Sequence, residues 1–275
     1  MDLKETNKQI KDFETLIKTQ QHHPYTGELY TGVDLGTSSI VLCVLDQESR
    51  IIAGAFERAK VVKDGIIVDF IGAIEVVRRL KAQLEKQLGV HLIKAAGAIP
   101  PGVAESSQKI VTNVLEACDF QVVNMVDEPS AAAKLLKIQE GAVVDIGGGT
   151  TGISQLQKGK VVFTHDEATG GHHMNLVISG RYHVDYDQAE KIKCSQERAR
   201  EILATLLPVI DKMANIVKNS IGNKGVKEIY LVGGGSQIQG FEQHFQKDLG
   251  LPIIKPYNPM LVTPLGIALS AVEGN

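Results

Sequence analysis

Two short stretches of this 275-residue chain carry the residue types that phosphate and metal chemistry needs. Asp34, Leu35, Gly36, Thr37 and Ser38 follow one apolar run, and Asp145, Ile146, Gly147, Gly148, Gly149 and Thr150 follow another. A turn rich in Gly, Thr and Ser presents backbone N–H groups and hydroxyls without side-chain obstruction, which suits a phosphate. Carboxylates at the strand ends just before such turns can hold a hydrated Mg²⁺, whose charge bridges them to the phosphates. Either stretch alone also reads as an ordinary Asp-Gly hairpin turn. Two of matching design in one chain favour the phosphate reading. GVDLGTSSIVLCVLD and AVVDIGGGTTGISQL share the order apolar run, Asp, apolar, Gly, small residues, Thr or Ser, strand. Their spacing of about 110 residues marks an internal repeat and predicts two duplicated lobes.

Gly147, Gly149 and Gly152 spell G-x-G-x-x-G, the dinucleotide fingerprint. That fingerprint needs its glycines to open a helix. Here ISQLQKGKVVF alternates and contains a Lys-Gly turn, so the sequence predicts a strand and excludes that reading. A third cluster, LVGGGSQIQG, sits between a strand and a helix. Its Gly233, Gly234 and Gly235 would let a base or ribose approach the backbone, or they form a plain strand-to-helix turn. His172 and His173, after Gly170 and Gly171, read as loop residues and not as a metal pair.

The elements that must position these residues follow from periodicity. The stretch to about Thr19 has helical spacing at Leu3, Ile10, Phe13 and Ile17, and QQHHPYTGE breaks it as a linker. That apolar face either docks a partner or packs on its own lobe. After it come strand, turn, strand, a third strand, and a helical stripe at Ile74, Val77, Leu80, Leu84 and Leu88. A strand and helix pair follows twice, with Pro129 placed to open the second helix. The second half repeats the opening, then gives helices near 188–193 and 197–220, the latter interrupted or kinked at Pro208. The order predicts an α/β fold with residues 1–29 as N-terminal helix and linker, 30–141 plus the helix 262–275 as the first lobe, and 142–261 as the second.

Composition bounds the function. Lys plus Arg number 29 against 32 Asp plus Glu, so no basic field points to nucleic acid or an anionic membrane. Cys43, Cys118 and Cys194 stand far apart, giving no metal knuckle or disulfide framework and fitting a reducing cytoplasm. No apolar run approaches a membrane span, and the charged N-terminus lacks an apolar signal core, so the expected location is cytoplasmic.

GVDLGTSS, DEPSAAA, VVDIGGGTTG, LVGGGSQIQG and TPLGIAL occur in the order of the first phosphate, first connecting, second phosphate, adenosine and second connecting motifs of the actin-like ATPases. The chain resembles that superfamily from Tyr30 onward, and KDGIIVDF and AEKIK are similar to its cell-shape branch. GVDLGT, VVKDGIIVDFIGA, VDIGGGTTG and DEATGGHH together are similar to the EutJ-type family, encoded with ethanolamine-utilisation microcompartments. The resemblance implies two ribonuclease-H-like lobes around a cleft holding ATP or ADP with Mg²⁺.

It further implies that Asp34 and Asp145 organise the hydrated metal, with Glu128 facing metal and attacking water. Gly36, Thr37, Ser38 and Gly147, Gly148, Gly149 and Thr150 would hold phosphates. Gly233, Gly234, Gly235 and Ser236 would line the adenosine. Glu190 and Lys193 would clamp ribose and base, although at i,i+3 they also read as a solvated ion pair. Two departures stand out. Relatives insert a subdomain after the position of Lys193, and this chain has almost nothing there, which removes a cleft wall and a filament surface. Ser107 stands where relatives carry a water-orienting Gln or Glu, with Gln108 about 100° further round the helix. The expected function is an ATP-binding, slowly hydrolysing switch, chaperone-like or assembling microcompartment shell proteins or ethanolamine enzymes, with no nucleic-acid or membrane partner. A small-molecule kinase and a nucleotide-bound scaffold are the alternatives.

Overall fold

The computed structural model describes residues 3–63, 65–101, 105–222 and 225–274. Asp64, in the quoted KDGIIVDF and VVKDGIIVDFIGA motifs, lies outside that set. The chain divides into two compact units, Met1–Ile138 with Leu261–Asn275, and Gln139–Met260.

In the first unit the elements run α1 (Lys4–Thr19), β1 (Leu29–Leu35), β2 (Ser39–Asp46), β3 (Ile51–Arg58), the small ribbon β4 (Val62–Lys63) and β5 (Ile66–Ile67), α2 (Phe70–Leu88), β6 (Lys94–Ile99), α3 (Glu105–Ala117), β7 (Gln121–Asp127) and α4 (Glu128–Leu136). The second unit contributes β8 (Glu140–Ile146), β9 (Thr151–Gln157), β10 (Lys160–Glu167), α5 (Gly171–Tyr182), α6 (Tyr186–Lys193), α7 (Ala199–Ile221), β11 (Ile229–Val232), α8 (Phe241–Leu249) and β12 (Ile253–Ile254), and α9 (Val262–Glu273) returns to the first.

The two main sheets have one topology. The first is ordered β3-β2-β1-β6-β7 and the second β10-β9-β8-β11-β12. In each, three antiparallel strands lead into two parallel ones. The predicted duplication is thus present strand for strand.

The first sheet is covered on one face by α2 and α3, whose Val77, Leu80, Leu84, Val114 and Leu115 pack with Val33, Leu42 and Val44. On the other face α4 and α9 pack with Tyr30, Ala96 and Ala98 through Ala131, Ile267 and Ala271. α9 lies so close to β1 that a Cβ on Gly32 would come within 2.4 Å of the Ala268 nitrogen. Local chemistry sets the helix ends. Asp69 caps α2 through the Gly72 N–H, Asp127 caps α4 through the Ser130 N–H, and Pro129 sits in the first turn of α4 as predicted.

The apolar face of α1 packs on its own unit. Ile10 and Phe13 are fully buried, and a Cβ on Gly54 of β3 would sit 2.3 Å from the Phe13 ring and 2.9 Å from Ile17. That face is therefore not open for docking a partner. Leu16, not named in the predicted stripe, is also buried.

In the second unit α5 to α8 bury Met174, Ile178, Ala189, Leu206, Ile210, Met213, Phe241 and Phe245 against Val144, Ile146 and Leu231. Of the interruption or kink expected at Pro208, the interruption does not occur, since α7 runs through that proline as one helix. Its buried stripe (Ile202, Leu206, Ile210, Met213, Val217, Ile221) outweighs the one hydrogen bond that proline removes. Only residues 194–198 separate α6 from α7, so the predicted lack of an inserted subdomain holds. Among the described residues no helix is long and apolar enough to cross a membrane.

Candidate functional site

In the first unit β1 and β2 zip up to Leu35 and Ile40, and Gly36, Thr37 and Ser38 form the turn before Ser39 opens β2. Asp34 pairs with Val41 one step inside, and Val41 pairs with Phe56 on β3. The turn is half-open to solvent, and the Ala59 N–H donates to the Ser38 carbonyl at 3.3 Å. Along the parallel strands Val33 pairs with Gly97 and Gly97 with Met125, which brings Asp34 level with Ala98 and Val126. Glu128 follows two residues later and opens α4, so Asp34 and Glu128 share the carboxyl-end edge of this sheet. Ser107 lies in the first turn of α3, half-buried, and Gln108 is exposed.

The second unit repeats the register. β8 and β9 zip up to Ile146 and Thr151, leaving Gly147, Gly148, Gly149 and Thr150 as the turn, with the Gly147 N–H donating to the Thr150 carbonyl at 2.9 Å. Strand β9 follows the glycines and a Lys158-Gly159 turn with positive φ at both residues leads into β10, so the dinucleotide reading fails as expected. Asp145 pairs with Gly152, and Gly152 pairs with Asp166 of β10. Three strands thus carry Asp, Gly, Asp in a row. Burial, and then the negative charge of Asp166, pushes the Asp145 carboxyl up to about 6 from an ordinary 3.8. A nearby cation would reverse that shift.

Helix α5 closes this turn, and sequence reasoning missed it. His172 and His173 are in its first turn and not in a loop. The segment GHHMNLVISGRY lacks a clean apolar stripe because a buried Asn175 stands beside Met174 and Ile178, and Gly-Gly-His-His reads as irregular. The Gly171 N–H donates to the Gly147 carbonyl at 2.9 Å and the His172 N–H to the Gly148 carbonyl at 2.7 Å. A Cβ on Gly170 would lie 2.7 Å from the Gly149 carbonyl carbon, so the approach requires glycine. The His172 ring tilts over Tyr186 of α6, with Nδ1 3.2 Å from the phenol oxygen.

Glu190 and Lys193 do not form a solvated pair. The Lys193 ammonium donates to Glu190 at 2.6 Å with its side chain 11% exposed, and Asn175 donates to the same Glu190 oxygen at 2.7 Å. Burial raises the Glu190 carboxyl, but the Lys193 charge and hydrogen bonds from Lys193, Asn175 and Cys194 hold it below its ordinary value. The Lys193 Nζ lies 3.4 Å from where a Cβ of Gly171 would stand, beside the phosphate-type turn.

Gly233, Gly234, Gly235 and Ser236 complete the set. Gly233 has φ 85°, and a Cβ there would fall 2.1 Å from an Asp145 carboxyl oxygen. A Cβ on Gly235 would meet Ile146 at 2.6 Å. Ser236 is fully buried and donates to the Gly233 carbonyl at 2.7 Å. The structure therefore brings Asp145, Gly147 to Thr150, Glu190, Lys193 and Gly233 to Ser236 around one end of β8, and adds Asp166, Asn175, Gly170 and Gly171.

Family models match two parts of the chain, that of the type IV pilus assembly protein PilM over residues 131–265 and that of MreB/Mbl protein over residues 52–187. The chain is 41% identical over 246 residues to the ethanolamine utilization protein EutJ of Escherichia coli (strain K12), covering 89% of this chain and 87% of that protein. The crystal structure of the ethanolamine utilization protein EutJ from Carboxydothermus hydrogenoformans matches with a TM-score of 0.92 at 46% identity, over 96% of this chain and 98% of that one. MreB 5 of Spiroplasma citri bound to AMPPNP shares the fold, with a TM-score of 0.68 at 19% identity over 88% of this chain and 95% of that one.

Proposed function

The chain belongs to the EutJ family of ethanolamine utilization proteins, and from that membership and its second-unit site we propose that it binds Mg·ATP and Mg·ADP as a slowly hydrolysing switch in ethanolamine utilisation. The observation that carries the reading is the second-unit constellation. Asp145 stands under Gly147–Thr150, Lys193 lies beside Gly171, whose N–H holds that turn, and Gly233 leaves no room for a side chain against Asp145. That a fold neighbour, MreB 5, has been crystallised with AMPPNP supports an adenine nucleotide as the ligand.

The residues fit this ligand. Backbone N–H groups of Gly148, Gly149 and Thr150, with the Thr150 hydroxyl, would hold phosphate oxygens, and the Lys193 ammonium would neutralise part of their charge. Asp145, with Asp166 across Gly152, would accept hydrogen bonds from the waters of a hydrated Mg²⁺, and Asp34 is the matching carboxylate of the first unit. When bound, the metal supplies charge neutralisation for the phosphates. Gly233 to Ser236 would line the adenosine, and Asn175 fixes the Glu190 carboxylate for a ribose hydroxyl. Glu128 is the candidate acceptor for attacking water. Ser107 is too short to orient that water directly, which accounts for slow turnover. The client would be a microcompartment shell protein or an ethanolamine enzyme.

Thermal unfolding with Mg·ADP tests the reading. At about one hundred times Kd a single site should add about 2.7 kcal/mol, with Lys193→Ala needing more ligand for the same shift. Absence of any adenine-nucleotide stabilisation overturns it. Substrate-dependent ADP release across a metabolite panel would replace the switch with a kinase. Capture of partners from extract that differs between ATP and ADP supports the switch, and capture indifferent to nucleotide leaves a scaffold.

A further inference from the structure

Away from the residues around Asp145, α7 and α8 bring together a histidine and two carboxylates. Asp211 lies midway along α7, and His244 and Asp248 are one turn apart on α8, where i,i+4 spacing puts both on one face. The His244 Nε2 is 2.5 Å from an Asp211 oxygen and 3.4 Å from an Asp248 oxygen. One ligand atom from each residue lies within 4.8 Å of the other two. All three side chains are partly buried, at 21%, 49% and 31% exposure for His244, Asp211 and Asp248. Among the described residues neither carboxylate forms an ion pair with a lysine or arginine, and His244 is the basic partner of both.

We propose that Asp211, His244 and Asp248 form a binding site for a divalent transition-metal ion of the zinc type, separate from the nucleotide site. With a neutral imidazole the cluster carries two negative charges, which a divalent cation balances and a protonated histidine only halves. One imidazole nitrogen among the donors selects a borderline ion such as Zn²⁺ over Mg²⁺ or Ca²⁺, which take oxygen alone. Ligand atoms at about 2.0–2.1 Å around a tetrahedral Zn²⁺ stand about 3.3 Å apart, close to the 3.4 Å seen between His244 and Asp248. The Asp211–His244 hydrogen bond would open by about 1 Å and give up its proton as the ion enters, with water as the fourth ligand. The two helices already meet nearby, since a Cβ on Gly240 would touch Leu203 at 2.6 Å. A bound ion would pin α8, the helix that follows Gly233 to Ser236, onto α7.

The test is a Zn²⁺ titration of the full-length, chelator-treated protein in excess Mg²⁺, by calorimetry and thermal unfolding. A Cys194→Ser background removes the exposed thiol as a competing ligand. One site of micromolar or tighter affinity is expected, with a rise in unfolding temperature of several degrees. Asp211→Asn and His244→Ala should each weaken it at least tenfold and erase the thermal shift, whereas Asp211→His, which keeps a donor, should retain it. No Zn²⁺ binding in the starting protein overturns the proposal. So does affinity unchanged in both Asp211→Asn and His244→Ala, which would mean an ordinary ion pair between helices.

Discussion

The Asp34 and Asp145 turns share strand order and register, yet they differ in what surrounds the carboxylate. Asp34 is followed across its sheet by Val41 and Phe56, whereas Asp145 is followed by Gly152 and a second acid, Asp166. The first turn is tethered from the Ala59 N–H to the Ser38 carbonyl, while the second is gripped by two N–H groups of α5 and overlain by Gly233 and Gly235. The same scaffold occurs twice, and side-chain chemistry makes the second copy the fuller of the two proposed ligand sites. A conserved backbone plan does not fix an equal division of labour.

The largest difference is expected when a side chain is added at Gly233, which crowds Asp145, and at Gly36 in the Asp34 turn. Gly233→Val puts a side chain onto Asp145 at positive φ and should cost on the order of 5 kcal/mol, together with nucleotide-induced stabilisation. Gly36→Ala, whose Cβ would meet only the Ser39 carbonyl at 3.0 Å, should cost about 1 kcal/mol. Equal losses in chemical denaturation would refute the asymmetry. The units also differ in what covers the outer antiparallel strand, since α1 packs on β3 while β10 keeps several exposed positions. Phe13→Ala should therefore destabilise the protein by about 3–5 kcal/mol, and a change under about 1 kcal/mol would show that α1 is an appendage.

Much of this was legible in sequence because the signals were local. The Asp-Gly-Thr turns, the Lys158-Gly159 hairpin and the Pro129 start of α4 are set by residues within a few positions of one another. Asp166 was not legible. It lies 21 positions from Asp145 in the chain and joins it through the β8-β9-β10 register. Helix α5 was hidden because Asn175 serves Glu190 from inside the buried stripe, interrupting the apolar period. The fate of the N-terminal helix depended on Gly54, a residue that leaves a hollow on β3 without marking it as a receptor.

In the metal-free protein the raised Asp145 carboxyl makes stability depend on pH. The group holds its proton more tightly folded than unfolded, so its contribution is most favourable below about pH 4 and declines as pH rises through about 6. Asp145→Asn removes that decline and should stabilise the metal-free protein at pH 7 by up to about 3 kcal/mol, the difference vanishing near pH 4. Urea unfolding against pH measures it, and an Asn variant less stable at pH 7 would contradict the account. The smallest effect is expected at Ser107. Single-turnover hydrolysis should run far below one per second, with Ser107→Glu neutral or faster and Gln108→Ala nearly silent. A brisk activity lost in Gln108→Ala would make Gln108 the water-orienting residue.

Under the proposed function the Asp145 turn is the principal determinant of Mg-nucleotide binding. Calorimetric titration of Mg·ADP into wild type, Asp34→Ala and Asp145→Ala tests it most directly. One site is expected in wild type, with a loss of about tenfold in Asp34→Ala and about a hundredfold or more in Asp145→Ala. No binding in wild type, or equal losses in the two variants, would contradict it.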